Sequence, residues 1–164
     1  MHRTNRFAGY VSTLGRRPDA WAVMSGREAH PGISGLVRFY QTRVGVLVAA
    51  EVSGLPADAE SCGKNVFGFH IHSGEECAGD VTDPFAAALS HYDPDGCPHP
   101  AHAGDMPPLF ANHGNAFEVF LTDRFSVREI IGRTVIIHSS PDDFTSQPAG
   151  NAGVKIACGQ IKTR

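Results

Sequence analysis

Gly35-Leu36-Val37-Arg38-Phe39-Tyr40-Gln41, then Thr42-Arg43, then Val44-Gly45-Val46-Leu47-Val48-Ala49-Ala50-Glu51-Val52 is the stretch on which the fold turns. Both runs are rich in β-branched and aromatic residues, which suit a pleated, half-buried surface, and the short polar step between them reads as the turn of a hairpin. Outward from it the pattern repeats. Ala20 to Met24 reads as a strand before the hairpin, and Val66 to His72, Ala116 to Leu121, Arg133 to His138 and Lys155 to Ile161 as strands after it. Phe125 to Ile131 reads as either a strand or a helical turn. The 18 glycines and 11 prolines are scattered, as expected of many turns joining short segments. The expected fold is all-β: a Greek-key sandwich or barrel of immunoglobulin-like kind. A length of 164 residues suits a single core.

Charge and hydropathy exclude several classes. A net charge of −3 with no lysine or arginine cluster interleaved with aromatics leaves no field for nucleic acid. The longest apolar runs, such as Val46 to Ala50, are far too short to span a bilayer, so a soluble protein without membrane contact is expected. Arg3, Arg6, Arg16 and Arg17 resemble the basic start of a targeting peptide, but no long apolar run follows them. Residues 1–19 are therefore expected to form a flexible N-terminal tail, and a cytoplasmic location follows from the missing signal.

The exception to the strand pattern is the long stretch from Ser73 to Gly114, rich in Asp, Pro, Gly, Cys and His. A loop of that length inside a compact domain usually has a function. Of nine histidines, His70, His72, His91, His99, His102 and His113 lie in this loop or on the strand leading into it, and His138 ends a later strand. His70 and His72 are separated by one residue, so on a strand both imidazoles project from one face and can converge on an ion. His99, His102 and Asp105 supply two imidazoles and a carboxylate within one bend, a donor set suited to zinc. Singly each group has a bland reading as a surface pair or solvated loop. Their joint placement around one loop points to metal binding.

The segments Gly68-Phe69-His70-Ile71-His72, His91-Tyr92-Asp93-Pro94, His102-Ala103-Gly104-Asp105-Met106, Gly132 to His138 and Gly150 to Gly159 occur in the order typical of copper/zinc superoxide dismutases of bacterial type, which the chain resembles over about residues 20–164. The resemblance implies disproportionation of superoxide at a copper/zinc centre. It assigns His70, His72, His91 and His138 to copper and His91, His99, His102 and Asp105 to zinc, with His91 bridging as an imidazolate and taking part in catalysis; His113 matches no ligand. Asp142 matches an aspartate that hydrogen-bonds the outer nitrogens of His70 and His99. Lys155 stands where the family usually has an arginine that docks the superoxide anion, so it keeps the charge and loses the planar fork. Cys77 and Cys158 occupy the positions of the family's disulfide. Cys62 and Cys97 could form a second bridge or remain thiols, and disulfides would also suit an exported protein.

Three departures from the family pattern carry expectations. Leu89-Ser90 stands where small residues usually precede the bridging histidine, and the stretch between His99 and His102 is short. Phe144 to Ala149 carries no charge, so the electrostatic loop is short and a slow turnover with weak salt dependence is expected. The competing function is a non-enzymatic copper or zinc buffer or chaperone on the same fold. A homodimer is left open.

Overall fold

The computed structural model describes residues 6–57 and 65–164, with the side chains of residues 9–57 and 65–164. Among the described residues nine strands form: β1 (Ala20–Gly26), β2 (Ser34–Thr42), β3 (Gly45–Ser53), β4 (Val66–Phe67), β5 (Phe69–His72), β6 (Leu109–Phe110), β7 (Ala116–Thr122), β8 (Thr134–His138) and β9 (Lys155–Lys162). Seven of them make one curled antiparallel sheet in the order β5-β8-β9-β1-β2-β3-β7, and β4 pairs with β6 separately. β2 and β3 form the expected hairpin, with Gln41 opposite Val46 and Thr42 opposite Gly45, so the turn falls on Arg43-Val44, one residue beyond the Thr42-Arg43 step read from the sequence. The first and last strands meet where β1 pairs β9, and β3 pairs β7 across the long loop, which gives the crossing connections of a Greek key.

Alternation along the strands fills the interior. Val46, Val48, Ala50 and Val52 of β3 join Val37, Phe39, Phe69, Ile71, Val135, Ile137 and Ile156 in one core. The other face of β3 is also covered: Leu47 and Ala49 cluster with Tyr40, and Val119, Tyr10 and Leu14 pack against them. Tyr10 and Leu14 belong to α1 (Arg6–Leu14), a helix lying in the segment read as a tail. Strands covered on both faces lose polar alternation, which accounts for the unbroken Val46 to Ala50 run.

Two strand readings differ in detail. Val66 to His72 is broken at Gly68, where the chain passes from the small sheet to the large one. A Cβ at Gly68 would lie 2.8 Å from the Ala152 Cβ, and its N–H and carbonyl bond Ser140 and His138 at 2.8 Å each. Phe125 to Ile131 resolves as the helical turn α2 (Val127–Ile130), begun by Ser126, whose N–H bonds the Glu129 carboxylate at 2.6 Å.

The long loop is fastened in two ways. Cys77 and Cys158 form a disulfide that ties it to β9. It also adds backbone pairing to the free edge of β5: Tyr92 N–H donates to Ile71 O at 2.8 Å, Ile71 N–H to Gly104 O at 2.9 Å and Gly104 N–H to Tyr92 O at 2.8 Å. A Cβ at Gly104 would fall 2.2 Å from Ile71 O, so only glycine permits this approach. The pairing sets His91 opposite His72 and Asp105 opposite His70.

Candidate metal centre

The ladder on β5 thus builds the centre. His70 and His72 leave β5 on one face, His138 ends the neighbouring β8, and the loop segments bring His91, His99, His102 and Asp105 onto the same place. Ligand atoms of His70, His72, His91 and His138 lie within 4.8 Å of one another, as do those of His91, His99, His102 and Asp105. His91 belongs to both groups. All seven residues are buried, none more than 9% exposed. His113, exposed and in a left-handed turn, joins neither group, and neither does Cys97, whose N–H bonds Asp93 at 3.0 Å. Cys97 has no disulfide among the described residues, and Cys62 lies outside them.

Hydrogen bonding fixes which nitrogen is free in four of the rings, those of His70, His72, His99 and His138. A carbonyl accepts only from N–H, so His72 must carry its proton on Nδ1, 2.8 Å from Leu89 O, and His138 on Nδ1, 3.2 Å from Gly153 O. Their Nε2 atoms then both present lone pairs, yet stand 3.2 Å apart. Two facing lone pairs repel unless a cation lies between them. The same logic applies to His70 and His99, whose Nε2 atoms donate to Asp142 at 2.7 and 2.9 Å. Their Nδ1 atoms are bare lone pairs, buried with no hydrogen-bond partner, and the His99 Nδ1 looks at Asp105 Oδ2 from 3.1 Å. His91 faces Asp105 Oδ1 through Nδ1 at 2.8 Å while its Nε2 is buried and unpartnered among the other group. Buried polar atoms are almost always satisfied, so convergent orphans of this kind fit metal ions.

The protonation states agree with ligation. Burial first, and neighbouring histidines second, push His72 well below its ordinary value and bring His138 down to about 3; burial also lowers His70. These rings stay neutral, as a metal ligand requires. Burial raises the carboxyls of Asp105 and Asp142, but donated hydrogen bonds outweigh it. His91 lowers Asp105, and His70, the Phe144 N–H and His99 bring Asp142 to about 2.

Supporting contacts extend beyond the residues singled out in the sequence. Gln147 grips His99 by a paired amide contact, accepting its N–H at 3.0 Å and donating to its carbonyl at 2.6 Å. Arg124 reaches the carbonyls of Pro100 and His102 at 2.8 and 3.2 Å, bracing the loop. Arg133 lies 3.9 Å over the Tyr92 ring beside His91. Gly150, at φ +65°, must be glycine, because a Cβ would lie 2.1 Å from the Asp142 carboxylate. No spacing rule announces these contacts, since most of them end on backbone atoms or planar neighbours.

Two departures take physical form. Leu89 adopts φ 62°, a conformation that favours glycine, and its carbonyl in that geometry holds the His72 proton. Its side chain is 60% exposed. A depression of about 410 Å³ opens at His138, lined by the uncharged Ser146, Gln147 and Asn151. Lys155 is paired with His138 in the β8–β9 register, and its ammonium bonds Asp83 at 2.7 Å and the Phe85 carbonyl at 3.0 Å.

Comparison with known proteins places this arrangement. The profile of the family described as "Copper/zinc superoxide dismutase (SODC)" matches residues 33–161. Two proteins of Aquifex aeolicus, "Superoxide dismutase [Cu-Zn] 2" and "Superoxide dismutase [Cu-Zn] 1", are 34% and 36% identical, covering 79% and 78% of this chain and 80% and 79% of their own. "Superoxide dismutase [Cu-Zn]" of Deinococcus radiodurans is 34% identical over 77% of this chain and 76% of its own. The solved structure "Cu/Zn superoxide dismutase from Brucella abortus" superposes with a TM-score of 0.73 at 27% identity, covering 87% of this chain and 99% of that one.

Proposed function

The chain belongs to the copper/zinc superoxide dismutase family, and from that premise we propose the residues by which it converts two superoxide anions and two protons into oxygen and hydrogen peroxide. His70, His72, His91 and His138 would hold copper and His91, His99, His102 and Asp105 zinc. One observation carries this assignment: the facing lone pairs of His72 and His138 and the orphaned nitrogens of His70, His91 and His99, a convergent set that metal cations would satisfy together. The complete donor set also favours an enzyme over a metal buffer.

When bound, copper supplies the one-electron carrier that superoxide alternately reduces and reoxidises, and zinc a fixed charge without redox chemistry. The protein's own residues do the rest. Carbonyls of Leu89 and Gly153 hold the His72 and His138 rings in one tautomer, and Asp142 does so for His70 and His99 at once. His91 Nε2 would be the atom at which a proton is held and passed to the reduced substrate, since its Nδ1 is turned to Asp105 at 2.8 Å. Lys155 would dock the anion beside His138.

Residues 20–164 are read as the family domain and 1–19 as a segment added to it, a reading supported by β1 beginning at Ala20. Superoxide is the substrate. No helix among the described residues is long and apolar enough to cross a membrane. The cytoplasm is the compartment proposed, tested by fractionation. A homodimer would draw on exposed apolar residues such as Phe110 and Phe117.

The deciding experiment is reconstitution with copper and zinc, followed by metal analysis and a dismutation assay. The wild type should hold both metals and be active, and His138→Ala should lose copper and at least about 100-fold in kcat/KM. A fully loaded but inactive wild type would overturn the assignment.

A further inference from the structure

The cation read as the anion-docking residue is not free. The Lys155 ammonium has three donors; one is spent on Asp83 Oδ2 at 2.7 Å and another on Phe85 O at 3.0 Å. Asp83 is itself held in a folded turn. Its N–H bonds Asp80 at 3.0 Å, its Oδ1 accepts the Phe85 N–H at 3.0 Å, and its carbonyl accepts the N–H groups of Asp80 and Ala86 at 3.0 Å each. The turn is bolted to the strand that bears Lys155, because Cys77 is bonded to Cys158 on β9. The carboxylate can leave the lysine only by also giving up the Phe85 N–H.

Charge arithmetic gives this geometry a consequence. A positive charge with a negative one at ion-pair distance acts on an approaching anion as a dipole, whose attraction falls off faster with distance than that of a lone charge. The depression at His138 is lined by uncharged Ser146, Gln147 and Asn151, and the loop from Glu75 to Asp83 contributes Glu75, Glu76 and Asp80 as further negative charges, while Arg27 shares a separate depression with Asp80 and Pro84.

We infer that Asp83 is a positioning residue that sets the anion affinity of the site, holding Lys155 against the loop and cancelling its charge so that a single ammonium N–H meets superoxide. The inference rests on the reading of Lys155 as the docking cation. It assigns to this chain a damped form of anion attraction, in which the lysine orients the substrate over the last few ångströms and draws little from a distance.

The test uses azide, a small monovalent anion that ligates copper, titrated into the copper- and zinc-loaded protein and followed by the copper visible absorption. Asp83→Asn keeps the turn's acceptor and removes the charge. Azide should bind about fivefold more tightly to it at low salt, with the gain shrinking as ionic strength approaches ~0.5 M. Lys155→Met should weaken azide binding, and Asp83→Asn should add nothing in a Lys155→Met background. Asp83→Ser, whose hydroxyl can still accept the Phe85 N–H, repeats the measurement should the first variant fold poorly. Unchanged or weaker azide binding in metal-loaded Asp83 variants, with Lys155→Met still impaired, would overturn the inference and leave the docking role standing. Unchanged binding in Lys155→Met would overturn both.

Discussion

Asp142 joins the two ligand groups through a single carboxylate, accepting from His70 on one oxygen and His99 on the other. Each accepted proton keeps the opposite nitrogen of that ring bare, so one residue enforces the tautomers of two proposed ligands. Asn at this position keeps the shape but offers only one acceptor; its NH₂ would face a ring N–H, and that ring would have to move its proton to the metal-facing nitrogen. Asp142→Asn is therefore expected to weaken zinc binding by about 10- to 100-fold, read by competition with a chromophoric chelator. Unchanged affinity would mean that packing alone orients the rings. This aspartate was legible in the sequence only through family resemblance, since Ser-Pro-Asp-Asp reads locally as a turn. Gln147 and Arg124 were not legible at all, because the groups they bind are backbone amides and carbonyls, which every residue has.

At the scale of elements, the centre depends on a loop behaving as a strand. The β5 edge is completed by Tyr92 and Gly104, and the disulfide fastens the start of the same loop to β9. Closing a chain segment with a sequence separation of 81 removes denatured-state entropy worth about 4 kcal/mol in the chain-entropy account. Cys77→Ser, at an exposed site where the hydroxyl is solvated, should lower the unfolding free energy of the metal-free chain by about 2–5 kcal/mol, measured by urea denaturation. A loss below about 1 kcal/mol would show that the loop is held by its edge pairing instead. The major strands were readable from their apolar runs, as was the hairpin of β2 and β3, although its turn falls on Arg43-Val44 and not on the polar pair Thr42-Arg43. Gly68 hid the passage between sheets inside what looks like one strand, and β6 is a two-residue pairing whose signal is drowned by the prolines before it. The helix α1 had its counterpart in β3: an apolar run without alternation asks for cover on both faces, and Tyr10 and Leu14 lie against the outer one.

Across the whole molecule, the metal-free fold is bounded on both sides by titrating groups that burial shifts. His72 and His138 are held neutral by burial, so unfolding takes up protons below their ordinary value of 6.5 and stability is lost as pH falls through that region. The alkaline side is set by Glu118. It lies opposite Ala50 on the inward side of β7, its Oε2 has no hydrogen-bond partner, and burial raises its carboxyl to about 7. A carboxyl whose folded value lies above its unfolded 4.5 stabilises the fold fully below 4.5 and loses that contribution as pH rises through about 7, because the unfolded chain releases the proton more readily. The group is only partly shielded, so the loss is expected to be about 1 kcal/mol. Glu118→Gln carries no titrating proton and abolishes the alkaline arm. The metal-free variant should match the wild type at pH 5 and exceed it at pH 8, by a few degrees in thermal midpoint. Parallel stability curves for the two proteins from pH 5 to pH 8 would show that Glu118 is solvated and ionised throughout.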